Sequence, residues 1–294
     1  MSRRRVALNQ PLKNMTSKLV TPLFYLGSAA SFALSAMSHA AEPADYTTTS
    51  NINLVSQYRF RGIDQTWGKP AVQGGVDLNM NNGLYTGAWA SNVSGNTYPG
   101  GSLELDYYGG YNGKFSDELS YTIGGYGYLY PGANYSHAAC PSAAFSTPCS
   151  LPSQSFNTFE VNAGLSWKWL SYKLSVSTGD YFGANTATGY DKGTAGSMYH
   201  DLNVSIPLTE DLNLLGHLGH TDVKARYAGT AASYSDYRLT LNKSWAGGWS
   251  ASAAWVGANN NTFFRPPTGG HSAANGDTRS LNRNALVLQV GRTF

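Results

Sequence analysis

The residues of this chain that could do chemistry come singly or in pairs spaced two apart. They are Arg59 and Arg61, Gln73, Asp77, Glu104 and Asp106, Glu160, Lys168, Lys173, Asp201, and Asp236 with Arg238. A spacing of two puts both members of a pair on one face of an extended strand. Hydrolysis would need a nucleophile, a base and an orienting group held together. Of the histidines beyond residue 40, His137 and His271 fall in loop-like stretches, and His200 falls on an apolar face. His217 falls on a polar face with no evident serine and carboxylate partner, and His220, three residues on, takes the opposite face. No Gly-x-Ser-x-Gly elbow and no His-Glu-x-x-His pair occurs. We therefore assign no catalytic residue, metal ligand or cofactor, and a hydrolase is the least favoured reading.

These side chains sit in segments of strand-like alternation. Twelve are read, at 50–62, 71–80, 84–93, 102–112, 118–130, 156–169, 171–182, 196–206, 211–221, 233–244, 248–258 and 283–294. In the fourth, Leu103, Leu105, Tyr107 and Tyr111 oppose Glu104, Asp106, Tyr108 and Asn112. In the first, Leu54, Tyr58 and Phe60 oppose Asn53, Gln57, Arg59 and Arg61. No helical period competes over a comparable length. The gaps alternate between long and short, and Asn81-Asn82-Gly83 is a hairpin signal. Strict alternation gathers every long loop at one end, as in outer-membrane barrels with long outer loops and short periplasmic turns.

Composition agrees. Charged residues are 13 %, against 33 glycines and 20 tyrosines. Mean hydropathy is −0.30, so a bundle of apolar helices is excluded. A barrel needs little charge, many aromatics and no long apolar run, because half of each strand faces lipid and half a polar interior. A secreted sandwich would turn one polar face to water. Here the outer faces read as apolar, and Tyr58, Phe60, Trp89, Tyr128, Tyr130, Trp167, Trp169, Trp245, Trp249 and Trp255 lie near strand ends, as interfacial girdles do.

Residues 1–40 read as a cleaved signal peptide, with a basic lead, an apolar stretch and Ser38-His39-Ala40 as the cleavage site. The lead is long, and a start at Met15 would be more compact. Residues 41–49 form a short periplasmic segment, and 50–294 form the barrel. Residues 1–40 carry five of the 20 basic residues and no acid, so 15 basic residues face 17 acidic ones beyond them, a net of −2. No basic cluster remains, and nucleic-acid binding has no support. Cys140 and Cys149, close together in a proline-containing loop of an exported chain, are expected to form a disulfide. At the other end, Phe294 shares a strand face with Leu286, Leu288 and Val290. A terminal aromatic on an amphipathic strand is the sorting end that barrel-assembly machinery reads.

From residue 50 onward the chain resembles the TorF-type porin family of proteobacteria. Tyr58-Arg59-Phe60-Arg61-Gly62-Ile63, Pro70 to Gly75, Gly83 to Val93, Glu104 to Tyr111 and Tyr130-Pro131-Gly132 carry the resemblance, most strongly over 50–132. It implies an outer-membrane barrel acting as a channel and brings no ligand residues. The expected fold is thus all-β, an antiparallel up-and-down transmembrane barrel of about twelve strands. The expected function is passive diffusion of small hydrophilic solutes or ions, with outer-membrane lipid around the barrel. The alternative is a non-conducting barrel that displays its loops for adhesion or assembly.

In such a barrel Arg59, Arg61, Gln73, Asp77, Glu104, Asp106, Glu160, Lys168, Lys173, Asp201, Asp236 and Arg238 line the pore, since a charge facing lipid would cost about 2–4 kcal/mol. The acids outnumber the bases, which favours cations mildly. Arg59 and Arg61 are expected to face Glu104 and Asp106 across a constriction. An equally weighted reading is a salt-bridged network that stiffens the wall. The 131–155 loop is a candidate plug. The eleventh strand, with Ala251, Ala253 and Gly257 outward, is a candidate oligomer face.

Overall fold

The computed structural model describes residues 45–138, 152–264, 271–272 and 278–294. The proposed signal peptide, Cys140 and Cys149 lie outside the described residues, as does most of the proposed plug. Among the described residues, twelve antiparallel strands close into one barrel. They are β1 (Tyr46–Val55), β2 (Ala71–Met80), β3 (Leu84–Asn92), β4 (Leu103–Lys114), β5 (Leu119–Leu129), β6 (Thr158–Trp167), β7 (Leu170–Ser177), β8 (Met198–Pro207), β9 (Leu212–Asp222), β10 (Tyr234–Ser244), β11 (Trp249–Ala258) and β12 (Ala285–Thr293). Each strand pairs with its neighbours in sequence, and β12 closes on β1 with Asn51 opposite Thr293 and Val55 opposite Gln289. Closure leaves no open strand edge, the condition a sheet must meet in lipid.

The short connections, 81–83, 115–118, 168–169, 208–211 and 245–248, share one end with both barrel termini. Gly83 takes φ +95 in the Asn-Asn-Gly turn, a conformation that only a residue without Cβ adopts freely. The long connections gather at the other end, as the alternation predicts.

Period-2 parity decides which face each side chain takes. Leu54, Ile123, Leu218 and Leu286 are 56–62 % exposed on the outer wall, while Gln73, Glu104 and Glu160 on the inner wall are at most 2 % exposed. The outer surface is thus an apolar belt and the interior a polar one. Trp167, Trp169, Trp245, Trp249 and Trp255 are about half exposed on the outer surface, as girdle residues should be. Tyr58, Trp89, Tyr128 and Tyr130 are not girdle residues. All four are buried in one interior cluster with Phe60 against it. Trp89 and Tyr128 have inward parity on their strands, and Tyr58 and Phe60 follow the end of β1 instead of extending it. On β11 Ala251 and Ala253 face outward as expected, but Gly257 is covered by the side chains of Asn284 and Tyr237.

Phe294 is joined to the first strand by reciprocal backbone bonds with Ser50, 2.6 and 3.2 Å long. Its ring lies under the Arg292 guanidinium, 4.5 Å from centroid to carbon, and is 48 % exposed.

Candidate functional site

The first strand ends seven residues earlier than its alternation suggests, and the chain then turns into the lumen. Arg59–Phe60 pairs with Ile63–Asp64 in a small hairpin whose turn residues, Arg61 and Gly62, have φ +46 and +78. Two positive φ values match the type I′ turn that two-residue hairpins favour. An Arg-Gly pair is a weaker signal for it than Asn-Gly, so the alternating run Tyr58-Arg59-Phe60-Arg61 reads as continued strand. A Cβ on Gly62 would lie 2.7 Å from the Asp236 Cβ and 2.8 Å from the Gly257 carbonyl oxygen. The turn therefore seats directly on the β10–β11 wall.

The hairpin reaches most of the barrel circumference. Arg61 donates to both Glu160 oxygens on β6, at 2.9 and 2.6 Å, and to the Tyr181 hydroxyl at 3.1 Å. Its guanidinium also lies 4.0 Å from the ring centroid of Tyr199 on β8. Burial works against the Arg61 charge, but Glu160 reverses that and leaves its pKa above the ordinary guanidinium value. Tyr58 donates to Glu104 on β4 at 3.3 Å. Phe60 packs edge-on against Tyr128 of β5, with centroids 5.4 Å apart. Arg59 donates to the carbonyls of Gly62, Leu281 and Arg283 at 3.2, 3.0 and 2.9 Å and to the Gln57 side chain. Burial pushes the Arg59 pKa down to about 10, against the pull of Asp64, so it stays charged at neutral pH. Above the hairpin a cavity of about 150 Å³ opens among Phe60, Tyr98, Tyr135, Tyr181, Tyr234 and Phe264.

The structure corrects the expected pairing of Arg59 and Arg61 with Glu104 and Asp106. Arg61 takes Glu160, and Arg59 has Asp64 at 3.9 Å as its nearest acid. The acids of β2 and β4 are held by tyrosines instead. Tyr58 serves Glu104, Tyr126 serves Asp106 at 2.9 Å, and Tyr108 serves Asp77 at 2.6 Å. The Tyr108 and Tyr126 rings stack 5.0 Å apart at 7°. Alternation puts Tyr108 and Tyr126 on the acids' own face, but which hydroxyl meets which carboxylate is set by cross-strand register.

A second correction concerns His217, which does have carboxylate partners. Its Nδ1 lies 3.1 Å from Asp201 and 2.9 Å from the Asn203 amide oxygen, and its Nε2 lies 2.8 Å from Asp236. The Tyr199 hydroxyl is 3.1 Å from Nε2, and Lys173 approaches Asp201 at 3.9 Å. Acceptors at both ring nitrogens suit an imidazolium, which has two donors. The register carries the signal: Asn203 stands opposite His217 on β8, and Arg238 opposite it on β10. No serine or threonine hydroxyl bonds to His217 among the described residues, and its ring joins side chains of β8, β9 and β10 in the wall.

Lys168 is a third correction. It occupies the short turn after β6 with φ +54 and pairs with Glu118 at 3.2 Å, so it lies at the barrel rim and not on the lumen wall. Gln73 faces inward beside Ser91. Arg238 faces inward and is exposed there, with one bond to the Arg59 carbonyl at 3.3 Å. Arg279, absent from the sequence-predicted set, binds the fully buried Asp64 at 2.7 Å. Its position outside any alternating run gave no cue.

Two structures of similar architecture are the KdgM porin in complex with disordered oligogalacturonate (10 % identity over 84 % of this chain and 98 % of that one, TM-score 0.46) and the NanC porin (10 % over 83 % and 98 %, TM-score 0.49). OprD from Pseudomonas aeruginosa matches at 12 % identity over 86 % of this chain and 68 % of that one, TM-score 0.33. No curated protein sequence matches. A family model does match, over residues 39–294, and the chain belongs to that family, described as a bacterial protein of unknown function (Gcw_chp).

Proposed function

We propose that the protein is an outer-membrane channel for passive diffusion of small hydrophilic solutes or ions, narrowed by the Arg59–Asp64 hairpin. The observation that carries this reading is a closed twelve-strand barrel with an apolar outer belt and a lumen lined by charged, hydrogen-bonded side chains. Charge inside a lipid-facing barrel is costly, and an aqueous path is the common use for it. The resemblance to TorF-type porins supports the same reading, as does the signal-like composition of residues 1–40. On this reading solutes enter past the aromatic cavity and pass beside the hairpin. The excess of acids along the wall favours cations mildly, and reversal potentials in a salt gradient test that preference.

The hairpin favours a second reading, a barrel closed at rest. Tyr58 and the hairpin meet β4, β5, β6, β8 and β10 across the lumen. Planar-bilayer recording of the refolded chain without residues 1–40 separates the two. Discrete ohmic steps support the channel. A folded, heat-modifiable barrel without steps refutes it and supports the closed, loop-displaying barrel.

A further inference from the structure

Among the described residues, each of six acids on the lumen wall is committed to a side-chain partner, while two arginines have no acid paired to them. Glu104, Asp106 and Asp77 are served by Tyr58, Tyr126 and Tyr108. Glu160 is taken by Arg61, and Asp201 and Asp236 by His217. On the β10–β12 side the balance is reversed. Arg238, Arg279 and Arg283 each lie close enough to Arg59 to act on its charge, and among the described residues Asp64 is the acid that pairs with Arg59 and Arg279. Arg59 spends its donors on carbonyls and Gln57, and Arg279 turns to Asp64.

Arg238 and Arg283 remain. Both are exposed, and neither forms an ion pair among the described residues. Arg238 has inward parity between Asp236 and Thr240, so its exposure is to the lumen. Arg283 stands two residues before Ala285, which shares the inward parity of Val287 and Gln289. Arg238, Val256 and Ala285 fall on one line of register, which brings the two arginines to the same stretch of wall. The buried Arg59 links them: it accepts from Arg238 through its carbonyl at 3.3 Å and donates to the Arg283 carbonyl at 2.9 Å. Arg238 and Arg283 converge here with no acid paired to either among the described residues, and guanidinium forks match the geometry of an oxyanion.

We propose that Arg238 and Arg283, backed by Arg59 and Arg279, form a binding site in the lumen for the oxyanion group of a small solute, a carboxylate or a phosphate. This deepens the channel reading by naming a solute class, and its role in passage rests on that reading. The site is local, so it can hold an anion while the acids elsewhere on the wall set a mild overall preference for cations.

The test is calorimetric titration of the folded chain in detergent with malonate, inorganic phosphate and, as a cationic control, choline. Saturable binding of an oxyanion is expected, weakened by added NaCl and at least about tenfold weaker in the R238Q/R283Q double variant, the loss that charge-assisted bonds of this kind imply. Malonate binding without phosphate binding assigns a carboxylate, and the converse assigns a phosphate. Should the double variant fail to fold, R238K keeps the charge, loses the fork and should still weaken binding. No saturable heat with either anion, or equal binding by a folded variant, overturns the proposal. The same sample is recorded in a bilayer. Conductance without oxyanion binding removes the site alone, whereas binding without conductance removes the channel reading and leaves the site.

Discussion

Replacing Glu160 with Gln should loosen the hairpin's hold across the lumen. The wild-type pair is bidentate, with side chains 5 % and 2 % exposed, so it is desolvated on both sides. Removing one partner of a buried pair costs about 3–5 kcal/mol, because the other is left as an uncompensated charge. At 1.4 kcal/mol per factor of ten, that changes the ratio of docked to released hairpin by roughly 10² to 10⁴. Arg61 also holds a positive φ, which costs a non-glycine residue about 1–2 kcal/mol and which its pairing with Glu160 offsets. Other anchors survive the substitution. Ile63 and Tyr58 stay buried and Phe60 stays packed, each worth on the order of 1.5–3 kcal/mol. The barrel hydrogen bonds are untouched. The expected phenotype is therefore a folded barrel that opens more often. Single-channel recording should show a higher open probability or a larger conductance level, and trypsin should cut after Arg59 and Arg61 faster than in the parent. Arg61→Gln should act alike, and the double variant should cost less than the two single changes together. A folded E160Q barrel with unchanged conductance and unchanged cleavage would refute the latch.

Four further outcomes are expected. Gly62→Ala, which strains a φ of +78 and drives a Cβ against Asp236 and Gly257, should reproduce the E160Q recordings; parental recordings would show that the turn is not seated on the wall. Tyr126→Phe takes the hydroxyl from Oδ2 of buried Asp106, whose Oδ1 already has no partner among the described residues, and should lower stability by about 1–3 kcal/mol in urea unfolding; an unchanged midpoint would show that water serves the carboxylate. In the 208–211 turn, the bond from Lys243 holds the Asp211 carboxyl below its ordinary pKa. That stability is present above the unfolded-state pKa and is lost as pH falls through the folded one, but the pair is exposed and weak. Asp211→Asn should leave the melting temperature at pH 7 unchanged, and a clear fall would show that the turn is worth more. Thiol titration of the unreduced, denatured protein should find no free thiol if Cys140 and Cys149 are joined, and full reactivity of both would rule the disulfide out.

Much of the fold was legible because parity is a local property. A strand such as Leu103 to Asn112 declares its two faces by residue type, since a misplaced charge or leucine on either face is costly. The alternation of long and short gaps then sets the order of the strands and the end at which the loops gather. Where local signals gave out, expectation failed. The run Tyr58 to Arg61 alternates like a strand, yet it leaves the barrel because Arg61-Gly62 makes a tight turn. Trp89 and Tyr128 look like girdle residues by type, but parity sends them inward. His217 looked isolated because its acids come from the two neighbouring strands, at positions that register alone brings together.

By itself, then, the sequence determined the barrel, its twelve segments, the apolar face of each and the end that carries the long loops. All follow from a two-residue period and from turn chemistry acting over a few neighbours. The tertiary structure alone decided the pairing of charges inside: Arg61 with Glu160, Glu104 and Asp106 with tyrosines, His217 with two aspartates, and Arg238 and Arg283 with no acid among the described residues. Those pairs are far apart in sequence, Arg61 and Glu160 by 99 residues. They depend on strand register and on one loop folding back across the lumen, and no short-range pattern encodes either.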